Sequence, residues 1–198
     1  MKFFIATKNA HKLREFLQIF EGTDVQIISE NDLSIPLAEA EETGTTFEEN
    51  ALIKAKAGLS ATGLPSIADD SGLCVDYLNG APGVYSARYA GEHGDDLANN
   101  QKLLSELDGV PEEKRTARFI SAIACVFPDG REFTVTGKCE GKIAFKPSGK
   151  CGFGYDPLFI SEKGCFGEIL PEEKNAISHR SRAIAEFRKE LKNILKVE

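Results

Sequence analysis

The residues that most narrow the choice of fold flank Pro128-Asp129-Gly130: TARFISAIACVF (116–127) on one side and REFTVTGKCEGKIAF (131–145) on the other. Proline presets φ for a turn and glycine accepts a positive φ. The two runs therefore predict a long hairpin. The first run is apolar at nearly every position instead of every second one. A strand of that kind is covered on both faces and belongs near the centre of a sheet.

The earlier part of the chain alternates strands with helices. KFFIAT (2–7) reads as a buried strand, and in HKLREFLQIF the residues Leu13, Phe16, Leu17 and Phe20 recur at helical spacing. DVQIIS (24–29) predicts a second strand. In TTFEENALIKAKAGLSATG a threonine is the candidate N-cap; Phe47, Ala51, Ala55 and Leu59 share one face, Gly63 is a stop signal and Pro65 follows. PSIA and LCVDYL are expected as two short strands on either side of an Asp-Asp-Ser-Gly turn, with a second turn at NGAPG. A helix fits DLANNQKLLSEL (96–107), a Gly-rich loop PSGKCGFGYDP (147–157) precedes a strand at LFI, and Ile184, Phe187, Leu191 and Ile194 mark a last helix in SHRSRAIAEFRKELKNILK. This order predicts an α/β fold with a mixed sheet. One domain is expected over residues 1–198, with a cleft between its early and late parts.

Composition excludes several alternatives. No apolar stretch approaches the roughly 20 residues of a membrane helix, and the opening MKFFIATKN is too short for a secretory signal, so a cytoplasmic protein is expected. Five cysteines, an odd number without a CxxC pair, argue against a disulfide framework or a zinc site. A net charge of −7 disfavours tracking a nucleic-acid backbone, yet a small anion can bind where a few cations and a metal converge.

Five stretches could carry chemistry. TKNAHK (7–12) joins a strand to a helix start, where free N–H groups and Thr7, Asn9 and Lys12 suit a phosphate; Asn9 could equally be a helix cap. Asp69 and Asp70 could form an Asx-turn, or could hold Mg²⁺, which takes hard oxygen ligands together with water and phosphate. Glu39, Glu41 and Glu42 offer further carboxylates or a solvated acidic loop. Asn50 and Lys54 are i, i+4 neighbours on the predicted helix, either as an exposed pair or as part of a site. GFGYDP sets Phe153, Tyr155 and Asp156 among glycines, so that backbone can approach a ligand and an aromatic face can stack on it, although Phe153 could be ordinary core. EEKNAISHRS brings Lys174, His179 and Arg180 to the start of the last helix, as a capping cluster or as cations of a site. No GxSxG, Walker A or GxGxxG motif is present. Together these are the parts of a nucleoside triphosphate site.

In this order, TKNAHK, EETGTTFEENALIKA, ADDSGLCVDYLNGAPGVYSARYAGE, CGFGYDP and EEKNAISHRSRA closely resemble the inosine triphosphate pyrophosphatase family, in its bacterial branch acting on dITP and XTP, essentially end to end. The resemblance implies a homodimer of elongated two-lobed α/β subunits, each with a central mixed sheet flanked by helices. It implies Mg²⁺-dependent hydrolysis of ITP, dITP and XTP to monophosphate and pyrophosphate, which clears deaminated purines from the nucleotide pool.

Position by position, the resemblance places the substrate loop on Thr7, Lys8, Asn9, Ala10, His11 and Lys12. The metal ligands fall on Asp70 and on an acidic residue of EETG, best matched by Glu41. Asp70 is also the implied proton acceptor, with Ser71 contacting substrate and Asp69 an alternative for the proton. The base pocket maps to Phe153, Gly154, Tyr155 and Asp156, completed by Lys174, His179 and Arg180. Cys151 departs from the glycine that many relatives carry before GFGYD. A nucleotide sensor without turnover would not need Asp70, Lys12 and Lys174 together. Relatives acting on pyrimidine or modified nucleotides should lack the SHR and FGYD pair.

Overall fold

A computed structural model describes residues 2–7, 9–20, 25–33 and 40–195. Among these residues seven strands, β1 (Lys2–Ile5), β2 (Gln26–Ser29), β3 (Ser66–Val75), β4 (Thr116–Val126), β5 (Glu132–Ile143), β6 (Phe159–Ser161) and β7 (Gly164–Cys165), form one sheet in the order β2-β1-β3-β4-β5-β6-β7. The sheet is mixed. β1 runs parallel to β2 and β3, whereas β6 is antiparallel to β5 and β7. β4 lies in the middle, as its two-sided apolar pattern requires, and its last six residues, Ser121 to Val126, are all buried.

Among the described residues five helices accompany the sheet: α1 (Ala10–Phe20), α2 (Phe47–Thr62), α3 (Asp96–Glu106), α4 (Pro171–Ile177) and α5 (His179–Leu195). α2 starts and stops where its sequence directs. Thr46 Oγ1 accepts from Glu49 N–H at 3.2 Å while Glu49 Oε2 takes the N–H groups of Thr45 and Thr46 at 2.6 and 3.3 Å, and Gly63 ends the helix in the left-handed region at φ 67°.

The chain divides into two compact units, each with its own core. The first comprises Met1–Asp70, Ser121–Gly137 and Ala183–Glu198. Its core gathers Phe3, Ile5 and Ile67 from the parallel strands, Phe16 and Phe20 from α1, Ile123 and Phe127 near the hairpin, and Phe187 and Leu191 from α5. The second comprises Ser71–Ile120 and Lys138–Arg182, with Leu73, Leu103, Leu107, Phe119, Phe159 and Phe166 at its centre. Arg115 is 2% exposed there, and its guanidinium donates to the carbonyls of Leu107, Ile143 and Ala144 at 2.8, 2.9 and 2.9 Å. One planar fork thereby reaches three carbonyls.

Two expectations are corrected. Asp69-Asp70-Ser71-Gly72 is no turn: β3 runs unbroken from Ser66 to Val75. Gly72 is required for close approach, since a Cβ there would lie 2.3 Å from Ser86 Oγ and 2.7 Å from the Gly83 carbonyl. α4 is a further helix, not expected from the sequence; Pro171 opens it and Ser178, in extended conformation, separates it from α5.

Candidate active site

The first unit carries the acidic cluster. Successive residues of a strand face opposite ways, so the neighbours Asp69 and Asp70 do not share one space. Each has its own lysine. Lys12 of α1 places Nζ 2.8 Å from Asp69 Oδ1, and Lys54 of α2 places Nζ 2.8 Å from Asp70 Oδ1. Lys54 also reaches Glu42 Oε1 at 2.9 Å.

Asn50, fully buried, ties this arrangement to the EETG loop. Its Nδ2 donates to Asp70 Oδ2 at 3.3 Å, and its Oδ1 accepts the Gly44 N–H at 2.8 Å. A Cβ on Gly44 would stand 2.6 Å from that oxygen, so glycine is the residue that lets the loop lie against the helix. The i, i+4 pair Asn50 and Lys54 therefore meets at Asp70, while Glu42 is half-buried on Lys54 and Glu41 is exposed.

The electrostatics of the pair are uneven. Burial pushes the Asp70 carboxyl above its ordinary value, and the attraction of Lys54 only partly opposes this. For Lys54 burial works against the charge, but Asp70, Asp69 and Glu42 outweigh it and hold the ammonium above its ordinary value. Asp70 is thus a carboxylate whose negative charge is incompletely compensated, a place where a cation would be favourable.

At the start of α1, Asn9 Oδ1 accepts the Lys12 N–H at 3.2 Å and the Asn9 N–H donates to Thr7 Oγ1 at 3.2 Å, so Asn9 caps the helix. Lys8 and Glu39 lie outside the described residues, as do the side chains of Ala10 and His11.

The second unit carries the aromatic and cationic residues. In the Gly-rich loop, Phe153 is 43% exposed, whereas Tyr155 is 5% exposed and its hydroxyl donates to the Ser86 carbonyl at 2.8 Å. Phe153 presents a face; Tyr155 anchors the loop in the core. Asp156 Oδ2 accepts the Phe153 N–H at 2.9 Å and pairs with Lys174 Nζ of α4 at 2.5 Å. That ammonium also stands 4.8 Å from the Phe153 ring centroid. At the start of α5, His179 stacks on Phe119 with ring centroids 4.9 Å apart, and Arg180 Nη2 donates to Ser71 Oγ at 3.1 Å. Asp96 and Asn100, marked by the sequence only as part of a helix, reach the same loop: Gly154 N–H donates to Asp96 Oδ2 at 2.7 Å, and Asn100 Nδ2 donates to the Gly154 carbonyl at 2.8 Å.

The model of the Ham1 family matches residues 3–190. The chain belongs to the Ham1 family. Similar proteins include the dITP/XTP pyrophosphatase of Nocardia farcinica, 53% identical over 185 residues, covering 91% of this chain and 89% of the relative. The dITP/XTP pyrophosphatase of Geobacter sulfurreducens is 54% identical over 183 residues, 91% and 92% of the two chains. Among solved structures, the Staphylococcus aureus Ham1 protein matches with a TM-score of 0.90 at 42% identity over 98% of this chain and 99% of that one. The α/β class of this Ham1 chain is shared with that structure.

Among the described residues no group of three or more His, Cys, Asp or Glu side chains is gathered as a metal cluster. A hard divalent cation that takes one or two carboxylates and completes its shell with water and phosphate needs no such cluster. Asp70, under-compensated and hard in its donors, fits that requirement. No helix among the described residues is long and apolar enough to cross a membrane, and all five cysteines are free.

Proposed function

We propose that this Ham1 chain hydrolyses the non-standard purine nucleoside triphosphates dITP, ITP and XTP to the monophosphate and pyrophosphate, clearing them before incorporation into DNA and RNA. The observation that carries this reading is Asp70, a buried carboxylate still under-compensated beside Lys54, in a chain about half identical to dITP/XTP pyrophosphatases.

Mg²⁺ would be held by Asp70 and Glu41, with Glu42 retained by Lys54; when bound, it neutralises charge on the triphosphate and favours ionisation of water. Asp70 orients the attacking water in line with the α-phosphorus and takes its proton. Lys12, Lys54 and Lys174 offset the substrate's charge in a chain of net charge −7. Phe153 stacks on the base, and donors from His179 and Arg180 meet the purine O6. Adenine presents an amino group there and leaves those donors unpaired, a mismatch that can discriminate by about 10⁴. The working unit is a cytoplasmic homodimer.

The test is a panel of dITP, ITP, XTP, dATP and dGTP with Mg²⁺, read as pyrophosphate released. Rapid release from the first three and little from dATP is expected. Equal rates with dATP, or orthophosphate in place of pyrophosphate, would overturn the proposal.

A further inference from the structure

The Phe153 ring, 43% exposed, belongs to the GFGYD loop that the proposed function uses, yet the backbone beneath it is held on three sides. The Phe153 N–H donates to Asp156 Oδ2 at 2.9 Å, the Gly154 N–H donates to Asp96 Oδ2 at 2.7 Å, and the Gly154 carbonyl accepts from Asn100 Nδ2 at 2.8 Å. Asp96 and Asn100 are i, i+4 neighbours on the first turns of α3, so one helix face grips both polar groups of a single residue. Asn100 is 8% exposed and also donates to the Asp96 carbonyl at 2.8 Å, which fixes its amide. Gly154 itself adopts φ +61°, a conformation that side chains resist and that needs outside support to persist at one geometry. The helix needs neither contact for its own capping, because Asp95 Oδ1 already accepts the Ala98 N–H at 2.9 Å.

We propose that Asp96 and Asn100 are positioning residues for base recognition: they lock the Gly154 peptide and thereby set the plane in which Phe153 meets the purine. An exposed ring on a free glycine-flanked loop would sample many orientations, and binding would first have to order it. Locking the peptide in advance lowers that cost. Neither residue touches substrate in this proposal, which rests on Phe153 being the base platform.

The experiment is a double-mutant cycle of Asp96→Ala with Phe153→Ala, measured as kcat and KM for dITP, with thermal melts of each variant. Asp96 is exposed, so its truncation leaves the core intact. Losing one charge-assisted hydrogen bond should lower kcat/KM about tenfold, mostly as a higher KM with kcat within about twofold. Asp96→Asn, which retains an acceptor, should recover most of the loss. In the Phe153→Ala background, Asp96→Ala should cost less than about twofold, because the group it positions is gone. If Phe153→Ala leaves kcat/KM unchanged, the platform itself is wrong and the proposal falls with it. If Phe153→Ala is impaired but Asp96→Ala costs nothing, or costs the same in both backgrounds, the platform stands and the positioning role is refuted.

Discussion

Asp70→Asn changes one charge and almost no shape, and its effects on stability and on activity should separate. The side chain is 8% exposed, with Lys54 Nζ at 2.8 Å and Asn50 Nδ2 at 3.3 Å. Asparagine removes the burial penalty on a carboxylate that Lys54 does not fully offset. It also deprives Lys54 of one of the charges that keep it protonated, but Glu42 remains at 2.9 Å. Each effect is about 1–3 kcal/mol and they oppose each other. The net change should lie within about 1 kcal/mol, or roughly 2–4 °C in Tm for a chain of this size. Activity should instead fall by about 10²–10⁴, the usual contribution of a positioned proton acceptor.

The pH dependence adds a sign. A carboxyl whose folded pKa is raised holds its proton more tightly in the folded chain, so its favourable contribution is complete at low pH. That contribution is lost as pH rises from the ordinary 3.8 through the raised value. Asparagine cannot titrate. The difference in Tm, variant minus wild type, should therefore move in the variant's favour as pH increases from about 4 toward neutrality. Thermal melts across that range and pyrophosphate release from dITP provide both readouts. Activity within tenfold of wild type would contradict the role of Asp70 in the reaction, and a Tm difference that moves the other way with pH would contradict its raised pKa.

Further outcomes follow from other contacts. Gly72→Ala puts a methyl 2.3 Å from Ser86 Oγ, which should cost about 1–3 kcal/mol and appear as a lower Tm; an unchanged melt would contradict the packing of β3 on the 83–86 segment. Arg115→Met removes the guanidinium donor from the carbonyls of Leu107, Ile143 and Ala144, of which Leu107 keeps the Val110 N–H at 3.1 Å. It should lower the urea-unfolding free energy by at least about 3 kcal/mol, and lysine, a point donor, should recover less than half. Glu41→Gln should raise the Mg²⁺ concentration needed for half-maximal activity, whereas Glu42→Gln, which removes a partner of Lys54, should shift Tm more than the Mg²⁺ requirement; a Mg²⁺ titration of both variants tests the assignment.

Much of the fold is legible in the sequence because its signals are local. The Thr46 to Gly63 limits of α2, the Pro-Asp-Gly reversal and the apolar density of β4 act over a few residues, and each appears where expected. The Asp-Asp-Ser-Gly segment misleads because its composition is that of a turn, while its conformation is set by distant partners. Lys12, Lys54 and Ser86 accommodate two carboxylates and a glycine inside a continuous strand. The candidate site divides in the same way. Residue types that suit phosphate, metal and base are visible as motifs, but the assignment of Lys12 to Asp69 and Lys54 to Asp70 depends on strand alternation and on helices far away in the chain. The i, i+4 spacing of Asp96 and Asn100 was visible; that their target is Gly154, 58 and 54 residues away, was not.

The most direct test of the account is hydrolysis of dITP by this chain in ¹⁸O-labelled water with Mg²⁺, with the products resolved by mass. Attack on the α-phosphorus predicts one ¹⁸O in dIMP and unlabelled pyrophosphate. Label in pyrophosphate, or release of orthophosphate, would contradict it.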